Sequence, residues 1–203
     1  MKTYIKQYFL NNYTEYAKLI IIMAITIIVS ILTINNSNDY QKKAIKEYID
    51  SKIVQVKNSD KFEKNNSLEY NLKEKVKENF IVSLLASSII GLPIAYLIII
   101  KRVFSIGYTL SAIFATQSKK TAIIFICSSM LLHNIIYVVS LFIALVTGLN
   151  FIKSIVKKEK LDLKFEILRF IIFILISALI AVISVLIQVF ISLSLINLFK
   201  KNL

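Results

Sequence analysis

The stretch TAIIFICSSMLLHNIIYVVSLFIALVTGLNFI, residues 121–152, decides the fold. It has no Lys, Arg, Asp or Glu over 32 residues, whereas a helix that crosses the hydrocarbon of a bilayer needs about 20 apolar residues. We therefore expect a membrane-spanning helix here. Because the stretch is longer than one straight span requires, we also expect a bend or break. We expect it near His133 and Asn134, the most polar residues close to the centre of the stretch.

Four more uncharged stretches of near-spanning length lie outward from this one. Lys101 and Arg102 separate two of them, since charged side chains normally end a span. In chain order the predicted spans are residues 19–34, 80–100, 103–118, 121–152 and 170–199. The first is expected to be an uncleaved signal anchor, because no small-residue cleavage site follows it. The predicted fold class is all-α, a polytopic membrane bundle of about five transmembrane helices with one extracytoplasmic helical loop.

The formal charge of +13 over 203 residues lies mostly between the apolar stretches. Lys and Arg in that position normally fix the orientation of a membrane protein, so we expect contact with membrane lipid and no nucleic-acid binding. Short connections on the side of the N-terminus, residues 1–18 and the basic loop 153–169 among them, hold 11 Lys and Arg against 4 on the other side. This predicts a cytoplasmic N-terminus and an extracytoplasmic C-terminus.

The long segment 35–79 is the one substantial polar part, with ten lysines and eight acidic residues. A long, nearly balanced loop can be translocated despite its lysines, so we expect it outside the cytoplasm. An amphipathic helix is predicted by four apolar residues at helical spacing: Ile45, Ile49, Ile53 and Val56. A second amphipathic helix is predicted after residues 65–67. The apolar faces of these helices either lie on the membrane or bundle surface, or bind an extracytoplasmic partner.

Small residues recur every fourth position in the second and third predicted spans. They are Ser83, Ser87, Gly91 and Ala95, and then Gly107, Ser111 and Ala115. Such stripes let helix backbones approach closely in lipid, so the two spans are expected to pack against each other, with docking of a partner protein as the alternative. Pro93 is expected to kink the second span.

His133 is the only histidine, and Cys127 is the only cysteine. One histidine cannot build a metal site, so we expect no metal, cofactor or small-molecule substrate. We interpret His133 and Asn134 as intramembrane polar groups in hydrogen bonds, with gating or partner contact as alternatives. No acidic residue lies in the five spans, and neither H-E-x-x-H nor G-x-S-x-G occurs. The sequence therefore predicts no enzymatic activity.

The order of three short motifs points to a family. Gly91-Leu92-Pro93 is followed by Lys101-Arg102-Val103-Phe104-Ser105-Ile106-Gly107-Tyr108-Thr109 and then by Leu131-Leu132-His133-Asn134-Ile135-Ile136-Tyr137. Together with the preceding polar loop, this order resembles the stage II sporulation protein M family in its clostridial form. The likeness covers most of the chain and is most specific between residues 89 and 151.

The resemblance implies a role in engulfment during endospore formation. In that family the M protein is a multipass scaffold that holds two peptidoglycan hydrolases, stage II sporulation proteins D and P, at the septal and engulfing membrane of the mother cell. Two alternatives stay open from the residues alone. A permease subunit would use helices broken at Pro93 and His133, and an intramembrane enzyme would depend on His133.

Overall fold

The structure, a computed structural model, describes residues 2–58, 61–156 and 163–192; within these ranges the side chains of residues 2–6, 52–58, 61–67, 128–129 and 191–192 lie outside the description. Every element in the described ranges is helical, which confirms the predicted all-α class. The helices are α1 (Lys2–Asn11), α2 (Tyr13–Asn35), α3 (Asp39–Asn58), α4 (Lys61–Ala86), α5 (Leu92–Thr116), α6 (Lys119–Ser129), α7 (Leu131–Val156) and α8 (Leu163–Leu186), followed by a π-helical segment, Ile187–Ser192.

Four helical segments in the described residues are long and apolar enough to cross a membrane. They are Tyr13–Asn35, Leu92–Thr116, Leu131–Val156 and Leu163–Phe190. The sequence predicts about five spans, and the difference arises around Lys101 and Arg102. These two residues lie inside the continuous helix α5, so residues 92–100 of the predicted second span and residues 103–116 of the third are parts of one helix.

Residues 80–86 of the predicted second span are the end of α4. The chain turns between Ser87 and Gly91, and the backbone N–H of Gly91 donates a hydrogen bond to Ser88 Oγ at 2.9 Å. Pro93 follows in the first turn of α5, where its missing N–H removes no helical hydrogen bond. The predicted kink at Pro93 is therefore wrong, because proline begins this helix instead of interrupting one.

The predicted break in residues 121–152 is present, but it lies three residues before His133. Helix α6 ends at Ser129, Met130 interrupts it, and α7 begins at Leu131. Helix α6 itself begins after Ser118, whose side chain accepts a hydrogen bond from the backbone N–H of Thr121.

Contacts between helices give the direction of each one. Helices α2 and α5 run parallel, since Glu15 interacts with Tyr96 near one end and Ser30 packs on Gly107 further along. Helix α4 packs antiparallel to α5, and α7 runs parallel to α4. Helix α7 is central, because 61% of the residues in its most apolar stretch are buried, against 22% to 33% in the other three apolar segments.

Candidate functional site: a buried polar network

Helix α4 carries three polar side chains into the bundle on a single face. Lys75, Asn79 and Ser83 recur every fourth residue, and all three are buried. The side-chain amide of Asn79 donates to Ser140 Oγ of α7 at 3.2 Å, and Ser177 Oγ of α8 donates to Asn79 Oδ1 at 2.7 Å. One asparagine therefore joins three helices. Residues 75–79, at the end of the predicted extracytoplasmic loop 35–79, are part of the helix bundle, and the side of the membrane on which the loop lies stays a prediction.

Arg102 of α5 is paired with two carboxylates of α4. Its Nη2 atom donates to Glu78 Oε2 at 2.5 Å and to Glu74 Oε1 at 3.2 Å, and its Nε atom donates to Glu78 Oε2 at 3.1 Å. The hydroxyl of Tyr137 on α7 also donates to Glu78, and the guanidinium lies 5.0 Å from the centroid of the Tyr137 ring. These contacts explain how an arginine persists inside an apolar helix: its charge is neutralised by the neighbouring helix.

Lys75 is held by neutral groups. Its Nζ atom donates to Gln188 Oε1 at 2.8 Å and to Ser184 Oγ at 3.2 Å, and it lies 5.0 Å from the centroid of the Tyr137 ring. Ser184 Oγ in turn donates to the backbone carbonyl of His133 at 2.9 Å. The lysine thus links α4 to the end of α8 and to the first turn of α7.

His133 enters this network through its backbone. Its side chain is buried, and its Nδ1 atom has no hydrogen-bond partner among the described residues. The neighbouring Asn134 is half-buried. The predicted hydrogen-bonding role of the His133 ring remains a prediction.

The predicted small-residue stripes do not lie on two separate spans, because Ala95 of the first stripe and all of the second stripe belong to α5. Ser83 and Ala95 are fully buried, Gly91 begins α5, and Ser87 is half-buried in the turn between α4 and α5. Gly107 lies against Ser30 of α2. Further along α5, Ser111 is half-buried and Ala115 is exposed.

The predicted partner face of α3 lies partly against the bundle. Ile49 is 6% exposed, and Ile45 packs beside it on a cluster that includes Ile113 of α5 and Phe125 of α6. The side chains of Ile53 and Val56 lie outside the described residues. For Ile45 and Ile49 the geometry is that of the intramolecular alternative, and binding of a partner there stays a prediction.

The polar network was missed in the sequence because its members are distributed over four helices. The spacing of Lys75, Asn79 and Ser83 was the available signal, since it continues the small-residue stripe of Ser83 and Ser87 backwards by two turns. Among the described residues no group of three or more His, Cys, Asp or Glu side chains could hold a metal ion. The network's hydrogen bonds and ion pairs join helices to one another.

The fold and this network define the chain as a polytopic α-helical membrane protein in which a polar helix is bonded into an apolar bundle. A family model described as stage II sporulation protein M matches residues 19–193, and the chain belongs to that family. It is thus a sporulation-related membrane protein. No curated protein and no solved structure matches the chain.

Proposed function

We propose that the chain is a non-catalytic membrane scaffold of the engulfment machinery. It holds peptidoglycan hydrolases, stage II sporulation proteins D and P, at the septal and engulfing membrane of the mother cell. The family match supports the sporulation role. The observation that carries the scaffold role is the pairing inside the bundle: Arg102 is neutralised by Glu78, and Lys75 is bound by Ser184 and Gln188. These groups stabilise a rigid bundle.

In this proposal the hydrolases contact α3 and the N-terminal half of α4. Since Ile49 is buried against α5 and α6, the available surface consists of the other faces of α3 and of exposed residues on α4. Tyr40 of α3 is 82% exposed, and Tyr70 of α4 is 69% exposed. Tyrosine is enriched among residues that dominate protein interfaces, because it combines a large apolar area with a hydrogen-bonding hydroxyl.

The test is affinity capture of the tagged chain from detergent-solubilised sporulating cells, followed by mass spectrometry. Recovery of peptidoglycan hydrolases with the unmodified chain, reduced about tenfold or more in a Tyr40→Ala and Tyr70→Ala double variant, is the expected result. A Lys43→Ala variant, which changes an exposed residue of α3, is the matched control and should capture normally. Recovery of an ATPase without any wall enzyme would overturn the scaffold in favour of a permease subunit.

A further inference from the structure

A groove with charged walls runs along the outside of the bundle between α4 and α5. Its volume is about 400 Å³, and its lining includes Glu74, Lys77, Glu78, Lys101, Arg102 and Ser105. We refer to it as the charged groove. Lys77, Lys101 and Ser105 are exposed at its surface.

The charged groove lies at the level of the apolar helices. Helix α5 passes Glu15 of α2 at Tyr96 and Ser30 of α2 at Gly107. Lys101 and Arg102 fall between these two levels, beside residues 19–34 of α2, which contain no charged residue. Charged side chains exposed at this depth would face lipid, where they are costly unless paired.

The charges of the groove are only partly compensated. Glu74 and Glu78 both pair with Arg102, whereas Lys77 and Lys101 form no ion pair within the described part of the chain. Three basic and two acidic side chains give the groove a formal charge of +1. A complementary occupant would therefore supply a carboxylate at mid-depth.

We infer that the charged groove is the docking site for a membrane-embedded helix of a second protein, and that this helix carries a carboxylate facing Lys101 and Lys77. A second copy of this chain is a poorer occupant, since residues 19–34, 121–152 and 170–199 contain no Asp or Glu. Phospholipid phosphates lie in the headgroup region, above the level of Lys101. The inference deepens the proposed scaffold function and rests on it for the identity of the partner.

The carboxylate requirement can be tested with a probe of defined chemistry. The full chain is co-expressed with a model transmembrane helix of about 20 leucines bearing one central Glu, Gln or Lys, and the captured helix is quantified. We expect capture of the Glu helix about fivefold above that of the Lys helix, as for polar contacts between helices in lipid. A Lys77→Glu and Lys101→Glu double variant should lose this preference, and a Lys120→Glu variant should keep it. Equal capture of all three helices by the unmodified chain would overturn the inference.

Photocrosslinking in sporulating cells tests the groove with natural partners. A photoreactive amino acid at Ser105 should form an adduct with the membrane segment of a captured hydrolase, while one at Leu179, exposed on α8, should not. Adducts with phospholipid alone, or with a second copy of the chain, would refute the docking site.

Two outcomes distinguish the docking site from the proposed scaffold function. Hydrolase capture without a Ser105 adduct would refute the docking site and leave the scaffold function supported. Discrimination among the model helices without capture of any hydrolase would refute the scaffold function and leave the docking site supported.

Discussion

Helices α7 and α4 approach each other closely at Gly148 of α7. A Cβ atom at this position would lie 2.5 Å from Ala86 Cβ, 2.6 Å from the Ala86 carbonyl carbon and 2.9 Å from the Ala86 carbonyl oxygen. Ordinary contacts of a Cβ begin at 3.4 Å, so a Gly148→Ala substitution requires the helices to separate by about 0.9 Å. Two of the three atoms belong to the backbone, which cannot move aside as a side chain can.

We expect Gly148→Ala to lower the free energy of unfolding by about 1–3 kcal/mol, the range for overpacking of a closely packed core. Adding Ala86→Gly removes the nearest atom and leaves the two backbone contacts, so the double variant should recover only part of the loss. Gly107→Ala is the matched comparison. Its nearest neighbour is the hydroxyl of Ser30, which can rotate, and its cost should therefore be smaller.

The assay is reversible unfolding of the purified chain in mixed lipid and detergent micelles, with helicity followed as the fraction of denaturing detergent rises. The order of stability should be unmodified chain, Gly107→Ala, then Gly148→Ala. A Gly148→Ala variant as stable as the unmodified chain would show that α7 and α4 can separate at no cost, and the reasoning from close approach would be wrong. Full recovery in the double variant would show that the backbone contacts contribute nothing.

Three further predictions concern side chains of the polar network and of α1, and the same unfolding assay measures the first two. Glu78→Gln should lower the free energy of unfolding by about 3–5 kcal/mol, because it leaves Arg102 in the bundle with one outer carboxylate. Glu74→Gln, which changes the more exposed partner of Arg102, should lower it by about 1 kcal/mol or less. Equal effects would contradict this asymmetry. Asn79→Leu should cost about 1 kcal/mol, since it removes two buried hydrogen bonds while both serines keep their bonds to backbone carbonyls, and an unchanged midpoint would refute that role. Tyr8→Ala should release α1 to limited proteolysis while the bundle stays intact, since the ring stacks on Phe173 with centroids 3.7 Å apart; α1 that stays protected would argue against this anchoring.

The fold class could be predicted from the sequence because long uncharged stretches have few other solutions. The placement of α4 could not. The rule that a charged residue ends a span treats Arg102 as isolated, whereas its partner Glu78 lies 24 residues earlier in the chain. A pairing over that separation has no local signature, so the predicted boundary fell at Lys101 and Arg102 when the actual turn lies at residues 87–91.

The break near His133 shows a different limit of sequence reasoning. The length of residues 121–152 predicts that one straight helix is unsuitable, but it does not say where the helix ends. The polarity of His133 favours a break at that residue, yet its backbone carbonyl accepts a hydrogen bond from Ser184, and the residue lies inside α7. The interruption at Met130 places this carbonyl beside α8, a contact that depends on how α8 packs.

The long-range partners of the polar network argue that α4 is a fixed part of the bundle. Arg102 binds Glu78, Ser177 binds Asn79, and Gln188 binds Lys75, so residues 75–79 of α4 are bonded to α5, to α8 and to the π-helical segment after α8. Apolar packing alone would allow α4 to slide or rotate by one residue, whereas each of these pairs would be broken by such a shift. A load applied to the N-terminal half of α4 would therefore be carried into the bundle, and this rigid coupling supports the proposed scaffold function.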